Sequence, residues 1–249
     1  MAMALGEAGA RAVYCLDLPK EPSEDWTATQ NYLAGIPHDP AVNGKNKHAR
    51  LEYISADVTD QERMWAIGQE IGDKEKRMDI CVAAAGIPSE HIPCLEYPAD
   101  AMRRIVDVNM NGALFTAQAA GRQMQRFGKP GSIVLIASMS GSITNKDQEW
   151  VAYNSSKAGV IQIGRSMACE LGKVGIRVNT VSPGYIYTKM SAAELDTHPD
   201  RLNEWSQLTP MNRIGRPDEL RGAITWLASD ASSYCTGSDI LVSGGHTAW

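Results

Sequence analysis

The chain has 249 residues, of which 43% are hydrophobic and 21% charged, and its net charge at pH 7 is −5. This length suits one α/β domain, and this composition excludes a disordered chain. The acidic balance argues against nucleic acid and anionic membrane surfaces as main partners. No apolar run approaches the ~18 residues of a membrane span, and the N-terminus lacks the basic region of a signal peptide, so we expect a cytoplasmic protein.

Six apolar segments that alternate with helical patterns set the expected architecture. Strands are predicted at Ala12–Asp17, Leu51–Asp57, Asp79–Ala85, Ser132–Ser138, Ile176–Ser182 and Ser238–Val242. Helices are predicted at Gln61–Lys76, Ala99–Phe127, Tyr153–Lys173, Ala192–Gln207 and Pro217–Ala228. This alternation predicts an α/β fold with a doubly wound, Rossmann-type parallel sheet, formed as a single domain over residues 1–249. The irregular stretch Pro19–His48 is expected to be a surface excursion with one short helix.

The first residues resemble the end of an element rather than its beginning. A doubly wound dinucleotide fold opens with a strand, a glycine-rich turn and a helix whose N-terminus faces the pyrophosphate. Met1–Ala10 looks like the rest of that helix, ended by Gly9, and no first strand or G-x-x-x-G-x-G turn precedes it. We therefore expect the first strand and the cofactor loop to be missing. Two interpretations stay open: a shortened gene prediction or splice form, and a natural truncation that alters cofactor binding.

The five cysteines are scattered, with no C-x-x-C pair and no His at ligand spacing. They are Cys15, Cys81, Cys94, Cys169 and Cys235, and three of them lie inside apolar runs. Reduced thiols in such runs behave as small hydrophobic groups. We therefore expect buried, inert thiols, a reducing compartment and no metal site.

Tyr153 and Lys157 are the strongest candidates for chemistry. They are four residues apart, so a helix places both side chains on one face. A tyrosine with a pKa near ~10 is a weak acid–base group at neutral pH, and a nearby cation lowers that pKa. Alone, this spacing is common and usually marks a solvated helix face.

Three further segments carry polar groups that change this interpretation. The strand that ends at Ser138 brings a hydroxyl to the carboxyl edge of the sheet, and Ser140 is the alternative hydroxyl. Asn109 lies inside a helix, where a buried amide that only braces the helix is the alternative interpretation. Pro183–Thr188 is expected to form a rigid turn with backbone donors and a hydroxyl.

In this order the segments resemble the short-chain dehydrogenase/reductase family over nearly the whole chain. The resemblance rests on Asn109, Ser138, Tyr153 with Lys157, Pro183-Gly184, Gly215-Arg216-Pro217 and Ser243-Gly244-Gly245. It implies an NAD(P)-dependent oxidoreductase that interconverts an alcohol and a carbonyl. The Ala137–Gly141 stretch and the serine-to-tyrosine spacing are most similar to sorbose reductases and mannitol dehydrogenases, which implies a polyol or ketose substrate.

The resemblance also implies a catalytic role for each matching residue. Tyr153 would be the general acid in carbonyl reduction and the general base in alcohol oxidation. Lys157 would lower the pKa of Tyr153 and bond the nicotinamide ribose. Ser138 would orient the substrate oxygen, and Asn109 would hold a water that links Lys157 to solvent. A polarised oxygen beside a proton source stabilises an alkoxide-like transition state.

Cofactor binding is expected at both ends of the dinucleotide. A carboxylate at Asp17 would accept from the adenine-ribose hydroxyls, which favours NAD with NADP as the alternative cofactor; Lys20 weakens this preference, and a simple loop-start aspartate is the other interpretation. The usual Asn-Asn-Ala-Gly appears here as Ala83-Ala84-Ala85-Gly86, without the two bracing amides. The resemblance assigns the remaining cofactor contacts to Asp57, Val58, Ala85, Gly86, Tyr153, Lys157, Pro183, Gly184, Ile186 and Thr188.

Substrate choice is expected to depend on loop residues. The candidates that would line a substrate pocket are Ile87, His91, Asn145, Gln148, Trp150, Tyr185 and Met190, with loop packing as the alternative for His91 and Trp150.

Self-association is expected as well. The helices at Ala99–Phe127 and Tyr153–Lys173 resemble helices that pair between subunits, so we expect a homodimer or homotetramer with the Gly244–Trp249 tail at an interface. A second function class stays open: a cofactor-impaired descendant that acts as a binding or scaffold protein. It rests on the absent glycine loop and on Ala83-Ala84.

Overall fold

The structure, a computed structural model, describes residues 1–36 and 49–249. It divides into two compact units, Met1–Val58 and Thr59–Trp249. Residues 37–48 of the predicted excursion Pro19–His48 lie outside the described part of the chain. The prediction of one domain over residues 1–249 stays a prediction.

The first unit contains a parallel strand pair and two helices. Strand β1 (Ala12–Asp17) pairs with β2 (Arg50–Ser55) in register from one end to the other. Helix α1 (Ala2–Glu7) ends before Gly9, whose φ of 91° lies in the left-handed region that favours glycine. Helix α2 (Glu24–Gly35) is the helix predicted within the excursion.

The second unit contains a four-stranded sheet in the order β3-β4-β5-β6, with every neighbouring pair parallel. Parallel strands connected by helices confirm the predicted α/β class. The strands are β3 (Ile80–Ala83), β4 (Gly131–Ile136), β5 (Ile176–Pro183) and β6 (Asp239–Val242). The helices are α3 (Gln61–Glu75), α4 (Ala99–Val106), α5 (Gly112–Phe127), α6 (Val151–Leu171), α7 (Lys189–Thr197), α8 (Pro199–Gln207) and α9 (Arg221–Ala228).

The core of the second unit is built on the central strands β4 and β5. Ile133, Leu135 and Val178 are fully buried there, together with Ala117 of α5 and Val160 of α6. Burial of one Leu, Ile or Val side chain contributes roughly 1.5–3 kcal/mol to stability. This packing fixes the carboxyl ends of β4 and β5, and the segments that carry the predicted chemistry follow these ends.

Two predicted helices are interrupted. The helix predicted at Ala99–Phe127 contains a π-helical turn at Asp107–Asn111 between α4 and α5. The helix predicted at Ala192–Gln207 is two helices, α7 and α8, because α8 begins at a proline, which has no backbone N–H to continue the preceding helix. The predicted start of α3 is confirmed, since the Asp60 carboxylate accepts a hydrogen bond from the Arg63 amide at 3.0 Å.

The cysteines only partly meet the expectation of burial. Cys81 is buried, and burial raises the pKa of its thiol to about 12. Cys94 and Cys169 are exposed, so the prediction of buried thiols is wrong for these two. Cys94 lies in a short 3-10 turn and Cys169 on the solvent side of α6, where the apolar pattern of the surrounding sequence does not bury every position.

Neither a metal-binding cluster nor a membrane-spanning helix occurs in residues 1–36 and 49–249. No group of three or more His, Cys, Asp or Glu side chains there could hold a metal ion. No helix in this part of the chain combines the length and the apolar character needed to cross a membrane.

Candidate active site

Tyr153 lies in the first turn of α6, and Ser138 follows the end of β4. The structure brings the Ser138 side chain close enough to the phenol of Tyr153 to lower its pKa. Ser138 Oγ also accepts a hydrogen bond from the Ser140 amide at 3.2 Å, which leaves its proton for the phenol oxygen. Burial raises the pKa of Tyr153, and the hydrogen bond from Ser138 lowers it by a smaller amount.

Lys157 lies one helical turn after Tyr153, with its amine buried beneath the phenol ring. Its Nζ donates to the Ile136 carbonyl at 2.9 Å and is 5.7 Å from the centroid of the Tyr153 ring. Burial lowers the pKa of Lys157 to about 8. The sequence predicts that this cation lowers the pKa of Tyr153. In this structure the pKa of Tyr153 is raised instead, because desolvation of the phenol is the larger effect.

Asn109 is fully buried in the π-helical turn between α4 and α5. Its Oδ1 accepts from the Ile87 amide at 2.8 Å, while its Nδ2 donates to the Ile87 carbonyl at 3.0 Å and lies 3.3 Å from Ser156 Oγ. The amide therefore holds the segment after β3 against α6. Single π-turns of this kind occur frequently at functional sites.

Gly86 lies directly against this pair of polar groups. A Cβ at this position would be 3.3 Å from Asn109 Oδ1 and 3.6 Å from Lys157 Nζ. Only the contact with Asn109 Oδ1 would be tighter than usual, since 3.6 Å from Lys157 Nζ is an ordinary van der Waals distance. A nicotinamide ribose fits this set of polar groups: the buried amine of Lys157, the hydroxyls of Ser138 and Tyr153, and the Ala85-Gly86 backbone.

The Pro183–Thr188 turn is held by backbone contacts. The Gly184 amide donates to the Val242 carbonyl at 3.0 Å, and a Cβ on Gly184 would be 2.7 Å from the Cα of Ser243. Ile186 forms a backbone bridge with Gly215. The Thr188 amide donates to Ser191 Oγ at 2.8 Å. These contacts hold the turn against β6 and the Gly215 segment, and its rigidity stays a prediction.

Three predicted cofactor residues belong to the first unit, whereas Ala85 and Gly86 belong to the second. Asp17 ends β1, and its Oδ1 accepts from the Leu18 amide at 2.8 Å. Asp57 and Val58 follow the end of β2. Their roles in cofactor binding stay predictions.

Ser140, the alternative hydroxyl, is part of a separate buried polar chain. Its Oγ donates to Asn145 Oδ1 at 2.6 Å, and Asn145 Nδ2 donates to the Tyr185 hydroxyl at 3.1 Å. Ser138 contacts the phenol instead, which favours Ser138 over Ser140 as the hydroxyl beside Tyr153. Tyr185 also stacks on Trp205, with ring centroids 4.3 Å apart.

Side-chain hydrogen bonds also hold several of the other residues predicted to line a substrate pocket. Gln148 accepts a hydrogen bond from Arg201 at 3.2 Å, and the indole of Trp150 donates to His91 at 3.2 Å. Met190 is exposed.

Sequence reasoning gave no role to Ser156. Its Oγ donates to the Tyr153 carbonyl at 2.8 Å and contacts the Asn109 amide, so it joins α6 to the π-helical turn. The sequence could have indicated a role, because Ser156 lies between Tyr153 and Lys157. Arg201 and Trp205 gave no such signal, since they come from a distant helix whose position depends on tertiary packing.

Comparison with known proteins places this arrangement in a family. A family model described as enoyl-(acyl carrier protein) reductase matches residues 36–247. The chain is 41% identical over 215 residues to a sorbose reductase of Schizosaccharomyces pombe, which covers 86% of this chain and 80% of the relative. It is 41% identical over 211 residues to a ribulose-forming D-arabinitol 2-dehydrogenase of Candida tropicalis (82% of this chain, 74% of the relative). It is 36% identical over 202 residues to an NADH-dependent L-xylulose reductase of Ambrosiozyma monospora (80% of this chain, 74% of the relative).

Solved structures agree with this assignment. A short-chain type dehydrogenase/reductase from Mycobacterium marinum superposes with a TM-score of 0.84 at 38% identity, covering 99% of this chain and 89% of that one. A gluconate 5-dehydrogenase from Burkholderia cenocepacia, solved with NADP and tartrate, superposes with a TM-score of 0.82 at 27% identity, covering 100% of this chain and 89% of that one. The chain belongs to the short-chain dehydrogenase/reductase family. The predicted Rossmann-type class and the predicted enzyme class, an NAD(P)-dependent oxidoreductase of alcohols and carbonyls, are confirmed.

Proposed function

We propose that this protein interconverts a polyol and the corresponding ketose, with Tyr153 as general acid and base. The observation that carries the proposal is the contact of Ser138 with Tyr153 above the buried amine of Lys157. The names of the related sorbose, arabinitol and xylulose enzymes support a sugar-alcohol substrate.

In the reductive direction the proton comes from Tyr153. Ser138 lies against the phenol and directs the substrate oxygen towards it, so the phenol proton passes to that oxygen as negative charge develops there. In the oxidative direction the phenolate of Tyr153 accepts the same proton. The nicotinamide, when bound, supplies or accepts the hydride.

Lys157 and Asn109 support this proton transfer. A positive amine on Lys157 stabilises the phenolate of Tyr153 once it forms, and its buried Nζ can donate to ribose hydroxyls beside Gly86. Asn109 holds the Gly86-Ile87 segment in place through two hydrogen bonds to the Ile87 backbone. Its proposed role here is to shape the site around Lys157, in addition to the water contact that the family resemblance implies.

Asp17 is proposed to set cofactor preference, together with adenine-side contacts from Asp57 and Val58. A carboxylate at the end of β1 accepts from two ribose hydroxyls and repels a 2′-phosphate, so NADH should bind more tightly than NADPH. Calorimetric titration of the 249-residue chain with both cofactors measures this directly. The variant Asp17→Ala should narrow the difference; an unchanged preference would exclude the role of Asp17.

Self-association is proposed through the C-terminal region. Trp249 and Leu241 are exposed, which suits burial against a second copy. Sedimentation analysis of the chain should show a dimer or tetramer, and Trp249→Ser should weaken it. A monomer at micromolar concentration would exclude this part of the proposal.

Turnover tests the whole proposal. The purified chain should reduce ketoses with NADH and oxidise polyols with NAD. A folded chain that binds neither cofactor and turns over no member of a polyol and ketose panel would favour the binding or scaffold function instead.

A further inference from the structure

A hydrogen bond between two side chains joins the segment after β3 to the segment before α6. Trp150 Nε1 donates to His91 Nε2 at 3.2 Å, and the two ring centroids are 5.3 Å apart with the planes tilted by 51°. His91 belongs to the segment after β3, and Trp150 immediately precedes α6. The two segments are far apart in the sequence, so this contact depends on the tertiary fold.

Trp150 also touches the proposed catalytic tyrosine. Its ring centroid is 6.1 Å from that of Tyr153, and the planes meet edge to face at 64°. This distance and angle are typical of favourable aromatic pairs. The indole therefore forms a side wall next to the phenol, where the carbons beyond the reacting carbon of a substrate would extend.

The direction of the hydrogen bond fixes the orientation of both rings. An indole N–H can only donate, so His91 Nε2 accepts and its ring proton lies on Nδ1. The bond holds the indole in one rotamer, since a rotation about its side chain would break the contact with His91.

Both segments that carry the pair are anchored at another point. The His91 segment is held at Ile87, whose amide donates to Asn109 Oδ1 and whose carbonyl accepts from Asn109 Nδ2. The Trp150 segment is held by Asn145, which bonds Tyr185, and by Gln148, which bonds Arg201. The pair therefore joins two segments that are each held by further hydrogen bonds, so the position of the indole is set before a substrate arrives.

We propose that Trp150, held in place by His91, is a specificity-determining residue that selects substrates by the carbon chain beyond the reacting carbonyl. The inference rests on the proposed function. A flat apolar ring beside the phenol packs against the C–H bonds of an extended sugar chain, and it gives a short substrate nothing to contact. His91 acts through Trp150, as a positioning residue.

The test compares a long and a short ketone in one set of variants. L-Sorbose and dihydroxyacetone are reduced with NADH by the wild type and by Trp150→Phe, His91→Leu and His91→Gln. Trp226→Phe is the matched control, because its indole also donates one hydrogen bond, to the Ala231 carbonyl at 3.2 Å, outside the proposed site. Trp150→Phe removes the donor of the hydrogen bond between Trp150 and His91, and His91→Leu removes its acceptor. His91→Gln keeps an acceptor at this position.

Trp150→Phe and His91→Leu should each raise the KM for sorbose roughly three- to tenfold, which corresponds to the net worth of one hydrogen bond. The KM for dihydroxyacetone and the kcat for both substrates should change little. The double variant should be no worse than either single variant, and His91→Gln should restore most of the affinity.

Equal losses on both substrates, or additive effects in the double variant, would overturn the inference, because a merely structural contact behaves in that way. Unchanged kinetics in Trp150→Phe and His91→Leu would overturn it as well. Failure of the proposed function looks different: the wild type itself would then reduce neither ketone.

Discussion

The side chain of Ser138 lies beside the phenol of Tyr153 and lowers its pKa as a hydrogen-bond donor, although the two residues come from different elements, the end of β4 and the first turn of α6. The bond opposes the effect of burial on the phenol, because it stabilises the phenolate while desolvation destabilises it. Burial and Ser138 thus act on the proton affinity of the proposed acid–base group in opposite directions.

Removal of the Ser138 hydroxyl should move the pH dependence of oxidation upward. Burial raises the pKa of Tyr153, so the phenolate needed for oxidation forms only at alkaline pH and the oxidation rate should rise with pH. Ser138→Ala deletes the bond that lowers this pKa, so the rise should begin at a higher pH. The measurement is kcat/KM for a polyol against pH. Ser140→Ala is the control; a shift in Ser140→Ala but not in Ser138→Ala would contradict the assignment.

Loss of the Tyr153 hydroxyl should abolish most turnover. General acid–base catalysis contributes about 10²–10⁴-fold, so Tyr153→Phe should lower kcat by a factor in this range while the fold is kept. Steady-state rates and circular dichroism measure the two effects. Tyr234→Phe, which alters a fully exposed ring, should leave the rate unchanged. Equal activity of Tyr153→Phe and the wild type would disprove the mechanism.

Deprotonation of Lys157 should raise the free energy of unfolding as the pH rises from about 8 to ~10. Its folded pKa of about 8 lies below the ordinary lysine value near ~10.4, so the unfolded chain binds more protons in this window and deprotonation favours the folded state. The free energy of unfolding should therefore rise by a few kcal/mol, roughly 1.4 kcal/mol for each unit of the shift.

Urea denaturation at pH 8, 9 and 10 measures the slope. Lys157→Met should lose it, and Lys173→Met, which alters an exposed lysine, should keep it. A slope that survives in Lys157→Met belongs to another group and would contradict the prediction.

Gly184 and Gly222 should respond to alanine in opposite directions. A Cβ on Gly184 would be 2.7 Å from the Cα of Ser243, so backbone must move, at a cost of about 1–3 kcal/mol. A Cβ on Gly222 in helix α9 meets nothing within 4 Å, so Gly222→Ala should stabilise the protein by roughly 0.5–1 kcal/mol. Thermal unfolding of both variants measures the difference. A stable Gly184→Ala variant would show that the turn is looser than its contacts indicate.

The sequence predicts the class of fold because apolar periodicity is a local property. Each strand from β1 to β6 lies within its predicted segment or within one residue of it, and α3 begins at Gln61 as predicted. The interruptions were not predicted. The local sequence of Asp107–Asn111 fits an ordinary helix. Only the hydrogen bonds of Asn109 with Ile87 and Ser156 explain why the π-helical turn lies there.

The sequence by itself determined the candidates Tyr153, Lys157 and Ser138, because the spacing of a helix pair and the end of a strand are readable along the chain, and the family resemblance added Asn109. The tertiary structure alone decided what surrounds them. It buries Lys157, brings Ser138 rather than Ser140 to the phenol, and joins His91 to Trp150. The physical reason is that pKa values and hydrogen-bond partners depend on desolvation and on contacts between distant segments, and these exist only after the chain has packed.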